Sequence, residues 1–160
     1  MEADMTAHPE GGPARRQALT REVMAATGLD DAMIGLVVDR FYDRVRADPV
    51  LAPLFATRLS DADWGPHLAK MKRFWSSLAL MTGDYHGRPM QAHLPLPVSG
   101  ADFDRWLALF RETATDLCTP AGAALLIDKA ERVAASLELG IAAGRGHMLR
   151  RGERLPATEA

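Results

Sequence analysis

Between Asp31 and Arg46 six apolar residues, Ile34, Val37, Val38, Phe41, Tyr42 and Val45, recur at spacings of one, three and four. That period puts them on one face of a helix, with Asp39, Arg40, Asp43, Arg44 and Arg46 on the other. Three later stretches carry the same period. Ser60 is placed to cap a helix running to about Met81, with Trp64, His67, Met71, Phe74 and Leu78 inward and Trp75 beside them. Ser99 opens another through about Cys118, with Phe103, Trp106, Leu107, Phe110, Ala114 and Leu117 inward. Thr119-Pro120 opens the last, with Leu126, Ile127, Ala130, Ala134, Leu137 and Ile141 in line and Gly140 and Gly144 at a fraying end. A short helix fits residues 20–27, stopped by Gly28, and Asp30 or Asp31 caps the first long one. Asp48-Pro49 ends that helix, and 49–55 reads as a tight turn with a few helical residues. No run of four or more residues alternates between turn signals, so no strand is expected and the fold class is all-α.

These helices suit one domain over residues 17–144. Residues 1–16, rich in Gly, Pro and charge, read as a flexible tail, and 145–160, with Arg145, Arg150, Arg151 and Arg154, as a second one. A net charge of −2 offers no footprint for nucleic acid or an anionic membrane. No apolar run approaches the roughly 20 residues of a spanning helix. The single cysteine, Cys118, excludes an internal disulfide and a cysteine-built zinc site. The polar, acidic start argues against a secretory signal, so a cytoplasmic protein is expected.

Function narrows to the stretch Gly87-Arg-Pro-Met-Gln-Ala-His-Leu-Pro-Leu-Pro97. Pro89 can take the first position of a short helix, and Pro95 keeps Leu94 out of the helical region. About one turn of helix results, with His93 at its end. There the imidazole Nδ1–H can reach a backbone carbonyl of the preceding turn, which fixes the tautomer and leaves Nε2 as a ligand or base. His86, in a glycine-flanked loop, competes for the role without such a clamp. His8 and His147 lie in the tails. Zinc-hydrolase, Walker, dinucleotide and nucleophile-elbow patterns are absent from the sequence. Tyr42, His67 and Trp106 each lie within an apolar stripe, where ordinary core packing is one reading. The other is that they surround a flat apolar cofactor: haem needs one axial imidazole, an apolar sandwich and a pocket whose donors decide the fate of a bound gas.

Four motifs carry a family resemblance. Asp39-Arg-Phe-Tyr-Asp-Arg-Val-Arg-Ala-Asp-Pro-Val-Leu-Ala-Pro-Leu-Phe55 resembles the opening of the bacterial truncated haemoglobins. Trp64-Gly-Pro-His-Leu-Ala-Lys-Met-Lys-Arg-Phe-Trp75, Gly83-Asp-Tyr-His-Gly-Arg-Pro-Met-Gln-Ala-His93 and Phe103-Asp-Arg-Trp106 are similar to the third group of that family. The match runs over about residues 17–143, in the family's order, and lacks the double-glycine motifs of the other groups. The resemblance implies a globin-like two-over-two helical sandwich binding haem b. His93 then corresponds to the proximal iron ligand, Tyr42 and Trp106 to distal donors, and His67 to the histidine near the distal entrance. Phe55 corresponds to the phenylalanine on the haem face, and Met71 and Phe74 to distal lining positions. Leu94 and Phe103 are further expected haem contacts, and Lys70, Arg73 and Arg88 are candidates for the propionates, which want cations.

The expected function is reversible binding of O2, NO, CO and similar ligands. Two strong donors slow O2 release, which favours sensing, detoxification of NO or nitrosative stress, or peroxide chemistry over bulk transport. The alternative is an enzyme proper, a haem peroxidase or an NO dioxygenase served by a separate reductase, since no flavin or nicotinamide motif is encoded. A third possibility dispenses with haem and makes the chain a helical interaction module docking through its arginine-rich tail.

Overall fold

The computed structural model describes residues 12–83 and 85–158, and all the regular structure among them is helical. In chain order the elements are α1 (Pro13–Thr27), α2 (Asp31–Ala47), α3 (Leu51–Ala56), a single 3-10 turn (Asp61–Asp63), α4 (Trp64–Leu80), α5 (Pro89–His93), α6 (Gly100–Leu117) and α7 (Pro120–Gly144). α2 packs on α4 and on α6, α6 on α7, and α4 on α7, so the pair α2–α4 lies over the pair α6–α7. This is the two-over-two sandwich. α1 closes one side against α4 and α7, while α3 leans on α2 and α6 and α5 on α7.

The sandwich forms because each long helix carries an apolar stripe and a good start. On α2 the six residues of the repeat are the buried ones, with Phe41 and Val45 at 0% exposure. Asp30 caps it by accepting from the Met33 N–H at 2.7 Å. Capping boxes at Ser60/Asp63 and Ser99/Asp102 start the 3-10 turn and α6. Thr119 caps α7 by accepting from the Gly122 N–H, and its hydroxyl donates to the Thr27 carbonyl at 2.6 Å, tying the end of α1 to the start of α7. Phe110 bridges the layers, stacking on Trp75 and Trp106 with Phe41 edge-on. Burial of a large apolar side chain is worth about 1.5–3 kcal/mol, so this cluster dominates the core.

The structure departs from the expected boundaries in four places. α1 starts at Pro13, not near residue 20: proline at a helix start is a beginning signal, and here it lies inside the segment read as tail. Residues 1–11 of that segment lie outside the described residues. On α4 the deeply buried face is Trp64, Trp75, Ser76, Ala79 and Leu80, while His67, Met71, Phe74 and Leu78 stay half-buried. Gly140 and Gly144 do not fray. A Cβ on Gly140 would lie 2.2 Å from Met90 Sδ, and one on Gly144 would lie 3.1 Å from Leu94 Cδ2, so the glycines form the notch that seats α5 on α7.

The fourth departure is the C-terminal segment, which docks where a flexible tail was expected. Leu155 is 2% exposed against Val98, Ile141 and Ala142, and its carbonyl accepts from the Gly100 N–H at 2.8 Å. Arg154 donates to Glu138, Asp104 and the Gly100 carbonyl. An arginine-rich stretch carries no periodic signal, so its acceptors on α6 and α7 could not be read from it.

Candidate functional site

A cavity of about 430 Å³ opens between α3, α4, α5, the loop after α5, α6 and α7. Its walls are mostly apolar: Leu51, Leu54 and Phe55 from α3, Leu96 and Val98 from the loop, Phe103 and Trp106 from α6, Ala134 and Leu137 from α7. That size and character fit a small organic molecule held with few polar contacts.

Two imidazoles reach it. His93 closes α5, and its Nδ1 lies 2.6 Å from the Pro89 carbonyl. A carbonyl only accepts, so Nδ1 is the donor in this contact and Nε2 is the nitrogen left to take a ligand. Pro89 stands at the first position of the turn, and its carbonyl faces the ring one turn on. His67 comes from α4, and its Nε2 is a buried side-chain polar atom with no partner among the described residues. Burial first, then the charges of Lys70 and His93, hold its pKa below the usual imidazole value. The ring is therefore mostly neutral at pH 7, with Nε2 sealed from solvent and unpaired. A buried polar atom without a partner costs about 1–3 kcal/mol, so something that satisfies it stabilises this arrangement.

Tyr42 stands behind this wall, its ring 5.4 Å from His67, 5.7 Å from Trp64 and 6.0 Å from Phe55, all tilted or edge-on. Burial pushes its phenol far above the usual value, so it remains an O–H donor. Trp106 lines the cavity and is stacked on Phe110, with Phe41 edge-on at 5.4 Å.

Of the residues singled out from sequence, His93, His67, Phe55, Phe103 and Trp106 line one cavity. Others lie outside its lining. Met71 is half-buried against the main core, and Phe74 packs edge-on against Trp75 and Tyr85. Leu94 is 39% exposed over the glycine notch. Lys70, Arg73 and Arg88 are exposed, with Lys70 near enough to His67 to bias its titration. The cavity also contains residues that sequence reasoning missed, chiefly Arg58, Leu54, Leu96 and Leu137. Leu51, Leu54 and Phe55 carry helical spacing that could have exposed the α3 wall; Arg58 has no such signal.

Among the described residues no group of three or more His, Cys, Asp and Glu converges, and no helix is long and apolar enough to cross a membrane. A metal held here by one imidazole would bring its remaining ligands with it. The donor set fits haem: one free, oriented Nε2, an apolar slot, a neutral unpaired imidazole and un-ionised donors beside it.

Comparison with known proteins agrees. The profile of the bacterial-like globins matches residues 23–123. The chain is 32% identical over 113 residues to a group 3 truncated haemoglobin of Campylobacter jejuni, covering 69% of this chain and 89% of that protein. It is 30% identical over 90 residues to a group 2 truncated haemoglobin of Bacillus subtilis, covering 52% of this chain and 64% of that one. Its fold is similar to the crystal structure of a group III truncated haemoglobin from Campylobacter jejuni, with TM-score 0.65, 28% identity and coverage of 78% of this chain and 95% of the other. A group II 2-on-2 haemoglobin of Agrobacterium tumefaciens shares the fold at TM-score 0.56 and 24% identity, over 72% and 92% of the two chains.

Proposed function

The chain belongs to the bacterial-like globins, and within them to the truncated haemoglobins, haem proteins that bind diatomic gases such as O2; from that premise we propose that it holds haem b through His93 Nε2 and keeps its ligand long enough to sense or detoxify it. The observation that carries this reading is the His93 ring, fixed through Nδ1 on the Pro89 carbonyl at the wall of an apolar cavity. When bound, haem supplies an iron site for O2, NO or CO whose electron donation puts partial negative charge on the ligand.

The chain's own residues set how long such a ligand stays. Tyr42 O–H and Trp106 indole N–H donate, and the indole cannot accept. Each such bond in a dry pocket is worth about 1–3 kcal/mol, or about five- to a hundredfold in ligand off-rate. Slow release suits sensing or NO chemistry better than oxygen delivery. His67, neutral and unpaired, can donate, gate entry or ligate the iron itself. Phe55 and Phe103 would pack on the cofactor, and the exposed Lys70, Arg73 and Arg88 would be the cations for its carboxylates. A cytoplasmic setting and a separate reductase complete the reading for NO dioxygenation; peroxidase chemistry is the second enzymatic form.

Absorption spectra of the purified protein, reduced and under carbon monoxide, test the core of it. A Soret band lost in His93→Ala and kept in His86→Ala is expected; the reverse overturns the ligand assignment. Steady-state NO consumption with a reductase separates the enzyme from a binding protein.

A further inference from the structure

The segment after α7 lies outside the stretch matched by the globin profile, yet it grips the chain immediately after His93. The His93 carbonyl accepts from the Leu96 N–H at 3.0 Å, and the Leu96 carbonyl accepts from Arg145 Nη2 at 2.7 Å. At the other end of the same loop, Gly100 is held on both sides. Its N–H donates to the Leu155 carbonyl at 2.8 Å, and its own carbonyl accepts from Arg154 Nη2 at 2.8 Å. Arg154 is anchored in turn by Glu138 Oε1 at 2.9 Å and Asp104 Oδ1 at 2.8 Å. The Leu155 N–H donates to the same Glu138 oxygen at 2.9 Å. Gly100 is needed for the fit: a Cβ there would lie 2.9 Å from Glu138 Oε1 and 3.0 Å from Arg154 Cβ. Between these two grips lie Leu96 and Val98, which line the cavity, and Val98 packs with Leu155 in a small core of its own.

We propose that Arg154 is a positioning residue for His93: with Arg145 it clamps both ends of the loop from Leu96 to Gly100, and so fixes the ring that the short α5 presents to the cavity. The consequence for the cofactor rests on the reading that His93 holds the iron; the clamp itself does not. Arginine suits the task because its planar fork reaches a carboxylate pair and a carbonyl together, which a lysine ammonium cannot do with the same geometry.

The test uses the 160-residue chain loaded with haem and its variants Arg154→Gln, Glu138→Gln, the two combined, Arg154→Lys, and Ile127→Ala as a control that thins the main core outside the cavity lining. Arg154→Gln is expected to speed amide hydrogen exchange at Leu96 and Gly100 about tenfold while Val37 and Val38 on α2 change less than about twofold. Haem loss should rise about fivefold, and the iron–histidine stretching band of the reduced protein should shift or broaden. The combined variant should do little more than either single one, and Arg154→Lys should recover only part. Ile127→Ala should lower the unfolding temperature and leave the band unchanged. Unchanged exchange at Gly100 in Arg154→Gln overturns the clamp. Faster exchange with the band and haem loss unaltered overturns its link to His93. A band that moves equally in Ile127→Ala also overturns that link. A band that survives His93→Ala defeats the ligand assignment instead, and exchange at Gly100 still judges the clamp.

Discussion

Tyr42, His67 and Trp106 stand on helices of 17, 17 and 18 residues, whereas His93 ends a helix of 5. The long helices bury their own stripes around Phe41 and Phe110, both at most 1% exposed, and these stripes hold their rings. A five-residue helix cannot persist alone, because one turn hardly repays its nucleation. α5 buries no residue of its own and borrows its place from Pro89, the glycine notch of α7 and the clamped loop behind it. The two sides of the cavity are thus specified by different physics, and changes on each should read out differently: cofactor retention on the α5 side, ligand kinetics on the other.

The largest effect should come from loss of the ring itself. His93→Ala is expected to speed haem loss by about a hundredfold or more, against less than about tenfold for His67→Ala. Comparable losses for both would abolish the division between the two sides. On the long helices, Tyr42→Phe and Trp106→Phe should each raise the O2 off-rate by about five- to a hundredfold while haem stays bound. Stopped-flow displacement of O2 by CO checks this, and a change under about twofold in both would remove the donor argument.

The same asymmetry separates what is legible in the chain from what is not. The stripe on α2 is legible to the residue because burial and helical period leave one answer for Ile34, Val37, Val38, Phe41, Tyr42 and Val45. The Nδ1 contact of His93 is legible too, from the helix start at Pro89, but the stop is not. Leu94 stays in the right-handed helical region (φ −50°, ψ −42°) and donates to the Met90 carbonyl, so Pro95 does not exclude it from the helix as expected. The role of Gly140 is not legible either, because a glycine that admits Met90 and one that ends a helix look alike in sequence. The docking of Arg154 and Leu155 is hidden as well, because its acceptors lie 16–54 residues away on other elements. Arg58 reaches the cavity from the chain just after α3, and nothing in its neighbours marks it.

Gly140→Ala sharpens the comparison on the α5 side. Alanine in a helix interior normally gains about 0.5–1 kcal/mol over glycine. Here its Cβ would occupy the place of Met90 Sδ, 2.2 Å away, and Met90 must leave the notch. The two effects should nearly cancel in overall stability. Haem loss should nevertheless rise about fivefold, as though about 1 kcal/mol of the seat were gone. Thermal unfolding of the apo chain and haem transfer to an acceptor protein measure the two separately; a variant that retains haem as the parent does shows that α5 does not depend on the notch.

The smallest effect should come from a polar joint on the long-helix side. Asp48, 5% exposed between α2 and α3, accepts from the Val50 and Leu51 N–H groups at 3.1 and 3.0 Å and pairs with Arg105 of α6. The Arg105 hydrogen bond, outweighing burial and aided by the two backbone bonds, holds its pKa below the usual carboxylate value. A depressed carboxylate stabilises the fold above its unfolded pKa of about 3.9, and that contribution fades as pH falls through the lower folded value. Arg105 is about half-exposed, which limits what the pair is worth. Asp48→Asn should therefore cost about 1 kcal/mol at pH 7, and the gap from the parent should begin to narrow below about pH 4. Urea titrations at pH 7 and pH 3 measure it. Because Asp48 seats α3, and α3 brings Leu54 and Phe55 to the cavity, a variant that instead sheds haem rapidly would show that the long-helix side also borrows support from outside its own stripes.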